Sequence, residues 1–257
     1  MMKILVTNDD GIRAKGIRVL AGMMKKYGEV TVVAPSEAQS GMSMAIPLGM
    51  HQRLHASPVE VREGIRWQHL DSTPDACVKF ALDETFRGDR PDLVIAGINH
   101  GANSATAACY SATLGAAAEG AVNGIPAIGV SLNAWTEDPD FSGVEAFLPG
   151  ILERLLPHCG QAGGFTGLYY NINFPDLPPE ELKGVAVCNM GRVHWSDEFV
   201  ANPDGTYHLE GEITDDEGNT PDADHRKVAQ GWVSIVPHNI DSTDYREMEN
   251  LKTLFDR

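Results

Sequence analysis

The chain is poor in the features that mark secreted, membrane-bound and zinc-binding proteins. It has only four cysteines and none of them forms a CxxC pair, so neither a zinc site nor a disulfide framework is indicated. They are Cys77, Cys109, Cys159 and Cys188. No apolar run is long enough to span a bilayer, and 8–10 (Asn-Asp-Asp) interrupts the first apolar segment, where a signal peptide needs continuous hydrophobicity. We therefore expect a cytoplasmic protein with reduced thiols and no membrane partner.

Positive charge is also scarce. The 257 residues include 20 Lys and Arg against 36 Asp and Glu, which gives a formal net charge of -16. Because a polynucleotide partner requires a basic face, we do not expect a nucleic acid polymer as the main partner. A small phosphorylated substrate is compatible with this charge if a metal ion supplies the positive charge. The length suits one large α/β domain or a domain with an extension.

The first half of the chain alternates apolar strands with helical segments. The segments 30–35, 92–99 and 127–132 are nearly continuous apolar runs, as is typical of parallel strands that are covered on both faces. Helices are expected at 12–27, 74–87, 112–123 and 144–157, the last of them kinked or broken early by Pro149. Residues 44–70, with short stretches at 52–55, 59–62 and 66–70, indicate a hairpin inserted into this order. The pattern predicts an α/β fold with a mostly parallel sheet flanked by helices.

The pattern changes after about residue 165. We therefore divide the chain into a catalytic core, 1–165, and a C-terminal part, 166–257. In the C-terminal part the apolar segments 170–175, 185–188 and 231–237 predict strands, and a terminal helix is expected at 242–255.

An acidic segment at about 190–226 is predicted to form an extended arm. Its apolar residues are too frequent for a disordered tract, and they include Trp195, Phe199, Tyr207, Leu209 and Ile213. A hairpin over 192–200 and 206–213, turning at 202–205 (Asn-Pro-Asp-Gly), accounts for them. Since a lone hairpin is marginally stable in water, we expect it to bury its aromatic side chains on a second subunit of a homodimer or homotetramer.

The start of the chain is its most informative segment. The apolar strand 3–7 runs directly into Asp9 and Asp10, followed by Gly11. Adjacent carboxylates repel each other and lose hydration when covered, and a hard cation such as Mg²⁺ or Mn²⁺ removes both costs. The order strand, acidic tip, helix places them where open α/β sheets bind ligands. A polar β–α turn is the alternative, since Asn-Asp-Asp-Gly is also good turn composition.

Three further segments are expected at the same edge of the sheet. Ser40, before Gly41, offers a neutral oxygen ligand, although a turn is the commoner role for such a serine. The glycine-rich segment 97–103 places Asn99 as an amide oxygen ligand and Asn103 as an amide donor to an anion. It is not GxGxxG, so a dinucleotide site is poorly supported.

The third segment begins the helix at 112–123. Ser111 and Thr113 are either ordinary helix caps or phosphate ligands, because both roles use the same free groups at a helix N-terminus. His100 is a candidate proton donor to a leaving group, but an exposed loop histidine is the favoured interpretation.

Together these motifs resemble the SurE family, the survival-protein phosphatases that act as nucleoside monophosphate nucleotidases. The matching segments are Val6-Thr7-Asn8-Asp9-Asp10-Gly11, Val33-Ala34-Pro35, Ser40-Gly41, Ser72-Thr73-Pro74, Gly97-Ile98-Asn99, Tyr110-Ser111-Ala112-Thr113 and 231–237. The resemblance implies a metal-dependent phosphomonoesterase with a Rossmann-like core and a C-terminal extension used in oligomerisation. It also implies the metal ligands Asp9, Asp10, Ser40 and Asn99, all of which match in residue type.

The sequence thus predicts a phosphatase that hydrolyses nucleoside 5′-monophosphates, with 3′-monophosphates as a second substrate class. Its expected cofactor is one Mg²⁺ or Mn²⁺ per subunit. Asp9, Asp10 and Asn99 are the predicted catalytic residues. The predicted phosphate ligands are Gly41, Asn103, Ser111 and Thr113.

The residues leave some alternatives open. Attack on phosphorus by water or by a carboxylate, through an aspartyl-phosphate, fits the sequence equally well. A phosphate-sensing regulatory module without turnover is the main alternative function. A cofactor-binding oxidoreductase is disfavoured by the missing glycine fingerprint.

Overall fold

A computed structural model describes residues 1–49, 53–159, 166–196 and 198–255. Within these ranges the strands are β1 (Met2–Thr7), β2 (Gly28–Pro35), β3 (Glu60–Arg62), β4 (Ile65–Leu70), β5 (Leu93–His100), β6 (Ala127–Asn133), β7 (Leu168–Pro175), β8 (Val185–Val187), β9 (Val193–Ser196), β10 (Phe199–Ala201), β11 (Tyr207–Leu209), β12 (Glu212–Asp215) and β13 (Val233–Asn239). The α-helices are α1 (Lys15–Met24), α2 (Pro74–Phe80), α3 (Ala112–Val122), α4 (Ser142–Cys159), α5 (Asp224–Ala229) and α6 (Tyr245–Phe255). None of the helices in the described ranges has the length and apolarity needed to cross a membrane.

Nine strands form one sheet in the order β3-β4-β2-β1-β5-β6-β7-β13-β8. Among the described strands of this sheet, only the β3–β4 and β7–β13 pairs are antiparallel, which confirms the predicted mostly parallel α/β fold. From β1 the chain first builds outward through β2 and β4, and then returns to add β5, β6 and β7 on the other side. The strand order therefore reverses between β1 and β5, and open α/β sheets bind ligands at the carboxyl ends of the strands at such a point.

The core lies on both faces of this sheet. Along β1, Ile4 and Val6 face the cluster that α1 and α4 cover, whereas Leu5 faces the cluster that α2 and α3 cover. This is the alternation of a strand, and both faces are apolar because both are covered by helices. The double coverage explains why the parallel strands are continuous apolar runs in the sequence.

The helices differ from the prediction mainly at proline and at their ends. The expected early break at Pro149 does not occur, since α4 continues through Pro149 and Pro157 to Cys159. Val144 and Leu148 before the proline and Ile151 after it are all buried on one side of the helix. Burial of these side chains offsets the roughly 3 kcal/mol that an internal proline costs. The helix predicted at 74–87 is shorter, because a π-helical turn replaces α2 from Ala81 to Thr85.

The predicted hairpin insertion at 44–70 extends the main sheet. Its strands β3 and β4 pair with each other, and β4 pairs in parallel with β2. The stretch predicted at 52–55 falls partly outside the described residues, and its described part, 53–55, is not a strand. The division of the chain at residue 165 also falls on residues that are not described, 160–165.

The arm is a hairpin of two successive paired segments. β9 pairs with β12 and β10 pairs with β11, and the chain turns back at 202–205. Asn202 closes the turn by donating its N–H to the carbonyl of Thr206 at 2.8 Å. The side chains of Phe199, Tyr207, Leu209 and Ile213 are all more than half exposed. The short helix α5 lies at the end of the predicted arm, and its six residues are too few to show a helical period.

The contact between α1 and β5 offers a test of the packing. A Cβ at Gly16 would lie 2.1 Å from the carbonyl oxygen of Ile98, whereas a Cβ at Gly22 in the same helix meets nothing within 4 Å. Gly16→Ala should therefore lower the free energy of unfolding by about 1–3 kcal/mol, since the helix must move away from the strand. The matched change Gly22→Ala should raise it by about 0.5–1 kcal/mol through helix propensity. Urea denaturation measures both values, and equal effects of the two changes would contradict this packing.

A buried carboxylate, Asp75, lies under the N-terminal half of α3. It is 0% exposed, and neither of its side-chain oxygens has a hydrogen-bond partner among the described residues. Burial, together with the nearby carboxylate of Glu119, raises the pKa of Asp75 to about 7. The folded protein therefore holds a proton at Asp75 at pH values where the unfolded chain, with the usual pKa of 3.8, has released it.

This proton makes stability depend on pH. Because the folded state binds more protons between pH 4 and 7, the contribution of Asp75 to stability is lost as the pH rises through about 7. Asp75→Asn should remove this dependence and raise the free energy of unfolding at pH 8 by about 1–3 kcal/mol. Denaturation at pH 6, 7 and 8 measures the effect, with the exposed Asp83→Asn as the matched control. An unchanged pH profile in Asp75→Asn would contradict the assignment.

Candidate active site

The paired carboxylates lie at the point where the strand order reverses. Asp9 directly follows the turn out of β1 and is 4% exposed, while Asp10 is half-buried. The turn itself is fixed by Asn8, whose side-chain amide donates to the carbonyl of Gly11 at 3.0 Å. Gly11 has a φ of +95°, a backbone conformation that favours glycine. Both carboxylates are therefore held by a tight turn at the carboxyl edge of the sheet.

Burial makes this pair electrostatically unfavourable. It raises the pKa of Asp9 to about 6, against the opposing effect of a hydrogen bond that the hydroxyl of Thr113 donates to its Oδ1. It likewise raises the pKa of Asp10 to about 6, against a hydrogen bond from the backbone N–H of His100 at 3.2 Å. Within the described ranges, no Lys, Arg or His forms an ion pair with either carboxylate.

Asn99 lies next to this pair at the end of β5 and is 8% exposed. Its side-chain nitrogen donates to the carbonyl of Gly101 at 2.7 Å, which leaves its amide oxygen as the group available to a ligand. The following residue, His100, is the one whose N–H holds Asp10. The structure thus joins Asp10 and the Asn99 segment through one hydrogen bond.

The loop after β2 is attached to the same site. Gln39 donates its N–H to the carbonyl of Asp9 at 2.7 Å, and Ser40 follows it with an exposed side chain. Further along, the N–H of Ser43 donates to the carbonyl of Tyr110 at 3.0 Å. The loop is therefore fixed to site elements on both sides of Ser40, whose hydroxyl makes no hydrogen bond to Asp9, Asp10 or Asn99. Gly41 is also exposed, with a φ of +76°.

The predicted phosphate ligands have partners within the protein. Ser111 caps α3 by accepting the N–H of Leu114 at 3.1 Å, so its own O–H is free to donate. The hydroxyl of Thr113, in contrast, donates a hydrogen bond to Oδ1 of Asp9. The structure therefore brings Thr113 to the Asp9 carboxylate, whereas Ser111 is at the helix N-terminus in the position expected of a cap.

Asn103 lies in a buried network of polar side chains. Its side-chain nitrogen donates to Ser131 Oγ at 2.9 Å, and its backbone N–H donates to Asn173 Oδ1 at 2.8 Å. Asn171 returns a hydrogen bond to the backbone carbonyl of Asn103 at 2.8 Å. Asn171 and Asn173 belong to none of the motifs that predict the site. Their signal is two asparagines with a spacing of two in an apolar strand, which places both on one face.

A third site residue that the sequence does not reveal is Asp224 at the start of α5, which is 0% exposed. Its carboxylate accepts the N–H of Ala105 at 3.0 Å and the N–H of Gly191 at 2.9 Å. It thereby joins the segment that leads to Ser111 with the base of the arm. No motif marks this residue, because an aspartate in an acidic segment is indistinguishable from its exposed neighbours.

The donor set fits a hard divalent cation. In the described part of the chain, no group of three His, Cys, Asp or Glu side chains is placed to hold a metal. The site instead combines two carboxylates without a counter-charge and the free amide oxygen of Asn99, with Ser40 on the adjoining loop. Oxygen ligands of this kind suit Mg²⁺ and Mn²⁺ and are unsuited to zinc or copper.

Comparison with known families agrees with this architecture. The family model described as "Survival protein SurE" matches residues 4–197. The crystal structure of the SurE protein from Aquifex aeolicus has a TM-score of 0.79 to this fold. It is 30% identical in sequence, and the match covers 98% of this chain and 99% of that one.

Relatives of known name cover almost the whole chain. The 5′-nucleotidase SurE of Christiangramia forsetii is 39% identical over 257 residues, which cover 97% of this chain and 95% of that protein. The 5′-nucleotidase SurE of Cytophaga hutchinsonii is 40% identical over 252 residues, with 96% and 95% coverage. From the family match and this identity over nearly the full length, the chain belongs to the SurE family.

Proposed function

We propose that this chain is a divalent-metal-dependent phosphomonoesterase that hydrolyses nucleoside 5′-monophosphates to nucleoside and phosphate. The observation that supports this most directly is the pair of buried carboxylates, Asp9 and Asp10, without a counter-charge where the strand order reverses. The names of the relatives, 5′-nucleotidases, support the substrate class. Nucleoside 3′-monophosphates are a second substrate class of the proposal, and a cytoplasmic location stays a prediction.

One Mg²⁺ or Mn²⁺ per subunit would be held by Asp9, Asp10, Ser40 and Asn99. When bound, the cation supplies Lewis-acid polarisation of the phosphoryl group and compensates its negative charge. Thr113 orients Asp9 through its hydroxyl, and the N–H of His100 orients Asp10. Because groups of the protein itself hold both carboxylates in place, the carboxylates would need no rearrangement to bind the cation.

The phosphate is proposed to lie between this cation site and the N-terminus of α3. The O–H of Ser111 is free to donate to a phosphate oxygen, and the positive end of the helix dipole favours the anion. Gly41 and Asn103 are the other proposed ligands. Hydrolysis breaks the bond between phosphorus and the ribose oxygen, adds a water oxygen to phosphorus, and transfers a proton to the ribose oxygen.

Removal of one carboxylate tests the proposed metal site. Asp9→Asn should lower phosphate release from adenosine 5′-monophosphate roughly 100-fold or more at saturating Mg²⁺ or Mn²⁺, since several kcal/mol of charge stabilisation is lost. In EDTA the same variant should melt at a higher temperature than the original protein, because one of two buried, repelling charges is removed. Phosphate release and thermal melting, each with and without EDTA, measure both effects.

The control is Asp176→Asn, an exposed carboxylate after β7 on the same edge of the sheet. It should change neither phosphate release nor the response of melting to Mg²⁺. Near-normal turnover in Asp9→Asn would show that the metal site lies elsewhere. If the original protein is stabilised by metal yet releases no phosphate from either the 5′- or the 3′-monophosphate, a phosphate-sensing module replaces the enzyme as the better proposal.

We also propose that the arm mediates assembly into a homodimer or homotetramer. Its support is the row of exposed apolar side chains on β10, β11 and β12, far more apolar surface than a hairpin of this size keeps in water. Replacing 195–213 with a short Gly/Ser linker should lower the oligomeric state in sedimentation. The linker variant retains Val193, whose carbonyl accepts the hydroxyl of Thr106 at 2.6 Å, and Asp215, whose carboxylate accepts a hydrogen bond from Nε of Arg226 at 2.7 Å. Phe199→Ser with Leu209→Ser, a cross-strand pair on the hairpin, should do the same without shortening it. If both variants sediment with the same oligomeric state as the original protein, the arm is excluded from the interface.

A further inference from the structure

A tryptophan stands exposed at the rim of the proposed site. Trp135 follows β6 by two residues, and 80% of its surface is accessible. β6 pairs with β5 so that Asn99 lies opposite Ser131 and His100 lies opposite Leu132. Trp135 therefore leaves the sheet on the strand beside Asn99, at the edge where Asp9 and Asp10 lie. Tryptophan is usually well buried, so a ring this exposed beside a site requires an explanation.

The segment that carries this ring is firmly attached on both sides. Ala134 before it is 0% exposed and donates its N–H to the carbonyl of Leu132 at 2.8 Å. After it, Lys15 binds Asp138 Oδ1 at 2.6 Å and the carbonyl of Pro139 at 2.9 Å. The exposure of Trp135 is thus a property of an anchored loop.

The indole lies directly beside the backbone of the site. A Cβ at Gly101 would lie 3.8 Å and 4.0 Å from Cη2 and Cζ3 of Trp135, and 3.9 Å from Nδ2 of Asn99. Gly101 has a φ of +111°, which favours glycine, and the absence of a side chain there leaves the space between the ring and Asn99 open. The six-membered ring therefore lies beside Gly101, which is two residues after the proposed metal ligand Asn99 and one residue after His100, whose N–H holds Asp10.

We propose that Trp135 is a stacking platform for the nucleobase, so that the site prefers nucleoside monophosphates to phosphomonoesters without a base. This inference rests on the proposed function and identifies what would recognise the part of the substrate remote from the phosphate. In a nucleoside 5′-monophosphate the base is attached at C1′ and the phosphate at C5′ of the same ribose, so a surface that contacts the base must lie beside the phosphate site. Every base has a π-face, so stacking on indole gives preference for a base without strict selection of one base.

A comparison of two substrates tests the platform. Trp135→Ala should raise KM for adenosine 5′-monophosphate about 5- to 20-fold, the lower part of the range for loss of base–aromatic stacking, and leave KM for ribose 5-phosphate within about twofold. Trp135→Phe keeps a π-face and should recover most of the loss. The control for removal of an exposed aromatic ring is Phe255→Ala at the end of α6, which should affect neither substrate.

Adenosine, the product that carries the base without the phosphate, gives a second readout. It should quench the fluorescence of the original protein in a saturable way at 295 nm excitation, whereas ribose should not. The quenching should disappear in Trp135→Phe, although three other tryptophans remain. This measurement does not depend on turnover.

The outcomes separate this inference from the proposed function. If the original protein hydrolyses neither phosphomonoester, the proposed function fails. If it hydrolyses both, but Trp135→Ala raises the two KM values equally or adenosine quenches Trp135→Phe as strongly as the original protein, the platform is wrong while the phosphatase stands. A lower oligomeric state of Trp135→Ala in sedimentation with unchanged substrate preference would likewise overturn the platform and assign the ring to an interface.

Discussion

The site depends on two buried carboxylates that the fold holds side by side. Asp9 and Asp10 are adjacent and have no counter-charge among the described residues, and burial raises the pKa of each to about 6, with the charge of Asp10 adding to the shift of Asp9. Each is restrained by one donor, the hydroxyl of Thr113 for Asp9 and the N–H of His100 for Asp10. The donors come from α3 and β5, so the relative placement of helix and sheet sets the geometry of the carboxylates. Burial of the pair lowers stability locally, and a cation bound at the proposed metal site would restore it.

Much of this arrangement could be predicted because it follows from local chemistry. Apolar runs mark parallel strands, and the polar residues at their carboxyl ends, Asp9 and Asn99 among them, must meet at one edge once the strand order is known. The hairpin of the arm was predictable for a similar reason, since its turn residues and its alternating apolar positions are close in sequence. In each case the determining signal lies within about ten residues.

What could not be predicted depends on contacts between distant residues. The continuation of α4 through Pro149 is decided by burial of Leu148 and Ile151 against the sheet, which propensity does not show. The hydroxyl of Thr113 binds a carboxylate 104 residues earlier in the chain, so its partner is invisible to motif analysis. The same holds for Asp224, whose partners Ala105 and Gly191 offer only backbone groups and thus no recognisable side chains.

The position of Asp224 has a consequence for how this protein can vary. A single buried carboxylate holds two segments, one leading to Ser111 at the proposed phosphate site and the other to Val193 at the base of the arm. Each segment has its own hydrogen bond to Asp224, and the two bonds share one acceptor carboxylate. A change at the base of the arm that moves Asp224 would therefore also move the segment before Ser111, so that substrate affinity at the proposed phosphate site and assembly through the proposed interface would vary together.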